Sequence, residues 1–117
     1  MNVLLLEDDA LLQRTTTRML RRAYENVTVT AVDSVPKAIA MLQHFAYDLV
    51  IADFQVLHGT GGDVLSWVRD EKPGLVDRFV FFSGSLEARA LHDKFIEKGC
   101  MPDEFIEQLH KLVGASA

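Results

Sequence analysis

The sequence is short of several things, and each shortage closes off a class of function. It holds 1 cysteine, Cys100, so neither an internal disulfide nor a thiolate metal cage can form, which suits a reducing cytosol. It has no excess of cations. The formal net charge is -5, whereas a nucleic-acid backbone requires a cationic footprint, so direct nucleic-acid binding is not expected. No apolar run approaches the roughly 20 residues of a membrane span. Met1-Asn2 leads straight into a strand-like run, without a basic leader or a small-residue cleavage site. His44, His58, His92 and His110 lack ligand spacing such as i, i+4, and no Gly-Lys-Ser/Thr follows Gly59, Gly61 and Gly62 to make a phosphate loop. A cytoplasmic protein with no membrane partner is expected.

What remains is enough for one core. The chain has 117 residues, 49% of them apolar and 25% charged, and no repeat, low-complexity stretch or linker divides it. Residues 1–117 are therefore read as a single domain. Val3–Leu6, Leu49–Ala52 and Phe79–Phe82 are short continuous apolar runs, the pattern of parallel strands covered on both faces. Val27–Val32 alternates and is β-branched, as a strand nearer the sheet edge would be, and Phe95-Ile96 is a shorter candidate.

Helical stripes fill the intervals. Leu12, Thr16, Met19 and Ala23 form one, with Arg14, Arg18, Arg21 and Arg22 largely off it. Val35, Ala38, Ile39, Leu42 and Phe45 form a second, begun by Ser34 as N-cap with Pro36 in the first turn. Val64, Leu65 and Val68 form a third. Phe105, Ile106, Leu109, Leu112 and Val113 form the last, with Asp103 and Glu104 at its positive end. Ser85 to His92 has room for a helix of about two turns. Alternation of this kind predicts a doubly wound α/β fold: a five-stranded parallel sheet of flavodoxin-like order 2-1-3-4-5, with helices on both faces.

In such sheets ligands bind beyond the carboxyl ends of the strands. Glu7, Asp8 and Asp9 follow the first strand run, Asp53 the third, Ser83 the fourth and Lys98 the fifth. Glu7, Asp8 and Asp53 in one crevice would repel one another unless cations sat among them. Lys98 supplies one charge, and a divalent ion would supply the rest. Hard oxygen ligands without His or Cys favour Mg²⁺. Asp8 and Asp53 are the expected direct ligands, a backbone carbonyl near Gln55 a third, and Glu7 one that acts through water or by supporting the direct ligands. A carboxylate can also attack phosphorus to give an aspartyl phosphate. Asp53 is the candidate, since it ends the central strand and opens the loop Phe54 to Gly62. Mg²⁺, Lys98 and Ser83 could then neutralise the phosphoryl oxygens. Taken singly these residues read as ordinary features: Asp9 as a helix cap, Ser83-Gly84-Ser85 as a turn, Lys98 as a surface lysine, Trp67 as core, the arginine cluster as a solvated face or a docking surface for a kinase.

In these residues the chain resembles the receiver (CheY-like) domain of bacterial two-component response regulators. The resemblance rests on Leu5-Leu6-Glu7-Asp8-Asp9, on Asp48 to Asp53 with Gly61 eight residues later, on Ser83-Gly84 thirty residues after Asp53, and on Phe95-Ile96-Glu97-Lys98. It implies a phospho-acceptor switch rather than an enzyme. A histidine kinase or histidine phosphotransfer protein would donate to Asp53. Mg²⁺ would bind through Asp8, Asp53 and the Gln55 carbonyl with Glu7 assisting, Lys98 and Ser83 would hold the phosphoryl group, and Phe95 would be the aromatic switch. Downstream partners would respond to the altered surface.

Three departures stand out. Leu57 and Gly99 occupy positions where the family usually has proline, and the Ser83–Lys98 segment is short by roughly two helical turns, so the fourth helix must be stunted or absent. Lys94 is the alternative to Lys98 should the short segment shift the lysine. A degenerate receiver serving as a constitutive scaffold is the competing function. An aspartate-nucleophile phosphohydrolase is disfavoured, because Gln55 stands where its general acid would be.

Overall fold

The computed structural model describes residues 1–115. Its elements are β1 (Asn2–Leu6), α1 (Ala10–Ala23), β2 (Thr28–Val32), α2 (Val35–His44), β3 (Leu49–Ala52), β4 (Gln55–Val56), β5 (Gly59–Thr60), α3 (Gly61–Glu71), a 3-10 helix (Pro73–Arg78), β6 (Phe79–Ser83), α4 (Leu86–Leu91), β7 (Phe95–Glu97) and α5 (Pro102–Val113). The main sheet has five strands in the order β2-β1-β3-β6-β7, all parallel. Counted by appearance in that sheet, this is the expected 2-1-3-4-5.

The continuous apolar runs divide because successive strand side chains point to opposite faces. Leu4, Leu6, Val50, Ala52, Phe79 and Phe81 pack with residues of α2, α3 and α4. Val3, Leu5, Leu49, Ile51, Val80, Phe82 and Ile96 pack with residues of α1 and α5. Both faces of the central strands are dry, so their sequence has no polar alternation. β2, at the edge, is half-buried to exposed along its length.

Helix ends follow local chemistry. Asp9 Oδ1 accepts from the Leu12 N–H at 3.0 Å, and Ser34 Oγ accepts from the Lys37 N–H at 3.3 Å, as expected of both caps. Thr60 and Asp63 form a capping box at the start of α3, in a stretch whose composition reads as loop. Arg14, Arg18, Arg21 and Arg22 are exposed, and Arg22 pairs with Asp103 across to α5 at 2.6 Å. No helix among the described residues is long and apolar enough to cross a membrane.

Three expectations need correction. Phe45 is not on the buried stripe of α2: the helix ends at His44, and Phe45 is 57% exposed, because the chain must straighten to enter β3 and Tyr47 takes the packing position instead. The span Phe54 to Gly62 is not an open loop but contains the antiparallel pair β4–β5, and α3 begins within it. The Pro73–Arg78 helix has no counterpart among the expected elements.

The fourth helix is stunted, as its short segment requires. α4 has 6 residues. β7 is correspondingly short, and the His92 ring takes over part of its work: Nε2 lies 2.7 Å from the Phe79 carbonyl, and the ring meets Phe79 and Phe81 edge-on, at centroid distances of 6.0 and 6.2 Å.

Candidate functional site

The site forms where β1, β3, β6 and β7 release the chain at the carboxyl rim of the sheet. Pairing runs one residue past β1 and β3: the Glu7 N–H donates to the Val32 carbonyl and the Asp53 N–H to the Leu6 carbonyl, both at 2.9 Å. These bonds fix the backbones of Glu7 and Asp53 before any side-chain contact is made. Glu7, Asp8 and Asp53 each offer an oxygen, and these oxygens lie within 4.8 Å of one another.

Lys98 enters from the end of β7. Its N–H donates to the Ser83 carbonyl at 3.0 Å, so the ladder that aligns Ser83 also sets the lysine. Its Nζ donates to Glu7 Oε1 at 2.5 Å and to Asp53 Oδ2 at 2.7 Å. The side chains of Glu7, Asp53 and Lys98 are 3%, 13% and 21% exposed, so water screens these contacts far less than it would a surface pair. Glu7 Oε2 accepts from the Asp9 N–H at 3.3 Å, and Gln13 Nε2 donates to the Glu7 carbonyl at 2.6 Å. Asp53 Oδ1 accepts from the Phe54 N–H at 2.7 Å.

These surroundings displace two titrations. Burial pushes the Glu7 carboxyl above its ordinary range, and the Lys98 ammonium only partly offsets this. For Lys98, burial alone would lower the pKa. Its bonds to Asp53 and Glu7 together outweigh burial and hold it above the ordinary lysine value.

Ser83 is buried, and its Oγ accepts from the Ser85 N–H at 3.0 Å. Phe95 is half-buried against the core on the α4 side and pairs with Phe81 across the strands. Gln55 is exposed at the start of β4. Lys94 is elsewhere: its Nζ donates to the Leu112 carbonyl at 2.6 Å, near the end of α5. Lys98, not the alternative, is the lysine of this site.

Two further residues support the site. Gln13 carries no sign of this in the sequence, since its amide reaches back six residues to Glu7 only once α1 has formed. Gly61 stands out by spacing alone, but its physical role is contact. A side chain there would collide with the Asp53 carbonyl oxygen and the Phe81 ring, and the Gly61 N–H donates to the Phe54 carbonyl at 2.7 Å. The donor set of Glu7, Asp8 and Asp53 is all hard oxygen in a tight cluster, which fits a small divalent cation such as Mg²⁺.

Fold and rim together define a flavodoxin-like domain of the CheY class. The response regulator receiver domain model matches residues 3–110, and the chain belongs to that family. Membership makes it a two-component signalling domain of the phospho-acceptor kind. No curated protein matches the sequence. Among solved structures, a CheY-like receiver domain protein from Methanospirillum hungatei JF-1 is similar with a TM-score of 0.79 at 22% identity, over 95% of this chain and 92% of that one. The response regulator TrrA of Thermotoga maritima, solved in complex with Mg²⁺-BeF, has a TM-score of 0.80 at 20% identity, over 95% of this chain and 97% of that one. The receiver domain of a signal transduction histidine kinase from Syntrophus aciditrophicus has a TM-score of 0.79 at 18% identity, over 96% of this chain and 89% of that one.

Proposed function

We propose that Asp53 accepts a phosphoryl group from the phosphohistidine of a histidine kinase or histidine phosphotransfer protein, and that the modified domain changes its partner binding. The observation that carries this reading is Lys98 bridging Glu7 and Asp53 inside the acidic cluster. A carboxylate of Asp53 attacks phosphorus, an O–P bond forms, the donor's N–P bond breaks, and its electron pair returns to the imidazole nitrogen. Asp8, Asp53 and the Gln55 carbonyl would hold Mg²⁺. Glu7, the most buried carboxylate of the three, would assist through water. The bound ion would supply charge neutralisation at the crowded oxygens.

Lys98 stays beside the acceptor and pairs with the phosphoryl oxygens. The Ser83 oxygen accepts from Ser85, leaving its O–H to donate to the new group. Phe95 follows as Ser83 is drawn in, altering the face near α4. Two positions beyond the acceptor, Gln55 offers no acidic proton to a leaving group, so the reading is a switch rather than a turnover enzyme. The free, half-buried Cys100 suits a reducing cytoplasm.

Incubation with acetyl phosphate or phosphoramidate and Mg²⁺ should add one phosphoryl mass to the wild type and none to Asp53→Asn. An unchanged wild-type mass would overturn the proposal. The stunted α4 favours one competitor, a receiver fold kept as a constitutive scaffold. The assembled acceptor set gives that reading no support, and normal signalling by an Asp53→Ala strain would restore it.

A further inference from the structure

We infer that Leu57 is a positioning residue of the acidic site, acting through its backbone to couple that site to the N-terminus of α2. The inference rests on the Mg²⁺-dependent reading above. The Leu57 side chain is 48% exposed, so packing does not explain what the residue does. Its backbone makes two bonds to the junction between β2 and α2. The Leu57 N–H donates to the Asp33 carbonyl at 3.2 Å, and the Leu57 carbonyl accepts from the Val35 N–H at 3.1 Å. Together they form an isolated parallel bridge between Ser34 and Leu57. Ser34 is buried and is the N-cap of α2.

Leu57 and His58 form the turn that joins β4 to β5. That ribbon begins with Gln55, two residues after Asp53, and its far side is secured by the Gly61 N–H to the Phe54 carbonyl. The Gln55 carbonyl is therefore held between two anchors, one on α3 and one on α2. His58 has φ 59° and the adjoining Gly59 has φ 136°, left-handed backbone that glycine adopts freely and that histidine adopts more readily than most residues. The bridge to Asp33 and Val35 ties this turn down.

Proline, usual at this position in the family, could accept from Val35 but has no N–H to give Asp33. Leucine at 57 thus adds a bond that proline would remove. If the tie places the Gln55 carbonyl for the cation, thermodynamic reciprocity requires the cation to strengthen the tie by the same factor. The route from site to α2 is independent of the short α4.

The test is amide hydrogen exchange on the intact chain with and without saturating Mg²⁺, paired with Mg²⁺ titration of Leu57→Pro and Leu57→Ala. Expected are exchange at Val35 and Leu57 about fivefold slower with Mg²⁺, affinity about fivefold weaker in Leu57→Pro, and wild-type affinity in Leu57→Ala, which keeps the N–H. Wild-type protein that binds Mg²⁺ with exchange at Val35 and Leu57 unchanged would overturn the inference and leave the phospho-acceptor reading standing. A folded Leu57→Pro with unaltered affinity would do the same. Wild-type protein that binds no Mg²⁺ would overturn both. Should Leu57→Pro fail to fold, the wild-type exchange comparison decides alone.

Discussion

Glu7 and Lys98 give the site a signature readable by titration. The folded chain binds the Glu7 proton more tightly than the unfolded chain does, so stability falls as pH rises from 4.5 toward the raised folded value. Lys98 acts at the other end. Its contribution is complete below 10.5 and is lost as pH climbs beyond that through its raised folded pKa. Glu7→Gln should abolish the acid-side decline and shrink the alkaline loss, as followed by thermal midpoints across pH without divalent ions. A variant curve parallel to wild type on the acid side would contradict this. Glu7, Asp8, Asp53, Ser83 and Lys98 were legible in the sequence because each lies at or just beyond the end of an apolar strand run, and parallel strands bring their carboxyl ends to one rim. Gln13 was not, since its partner is fixed only by the pitch of α1. Thr60 and Asp63 did carry a readable cap spacing, hidden because the surrounding residues read as loop.

At the scale of elements, the Ser83–Lys98 segment shows what a shortened connection demands. With β7 limited to three residues, the Phe79 carbonyl is served by the His92 ring rather than by a strand neighbour. His92→Ala should cost about 2 kcal/mol, from an unpaired carbonyl and lost ring contacts, measured by urea unfolding with an unchanged m value. A cost below about 0.5 kcal/mol would assign His92 to ordinary surface. His92→Gln, which keeps a donor, should recover part of the loss. The sequence revealed that α4 must be short, because length is counted directly. It did not reveal the substitute, since a histidine carries no mark of the carbonyl it will meet. Phe45 and the β4–β5 ribbon escape the sequence pattern for a related reason. Helix ends and two-residue strands are decided by where the next element must begin, and periodicity is silent on that.

For the molecule as a whole, a divalent cation held as proposed above would relieve the repulsion among the clustered acids and stabilise the fold. Mg²⁺ at about 100 times its dissociation constant should add about 2.7 kcal/mol to unfolding. Asp8→Ala should lose most of that gain while being somewhat more stable than wild type in chelator, because one repelling charge is gone. Equal Mg²⁺ stabilisation of both proteins, by thermal denaturation, would place the ion elsewhere. The two-sided core was the most legible feature: uninterrupted apolar runs such as Leu49–Ala52 have only one comfortable home, between two layers of helix. The short crossover after Ser83 also has a temporal consequence. Pairing Val3 with Leu49 closes 46 residues of chain, whereas pairing Phe81 with Phe95 closes 14. Loop entropy makes the second closure cheaper by about 1 kcal/mol, so the trimmed crossover favours early closure of the β6–β7 pair over the long closure that brings in the acceptor strand.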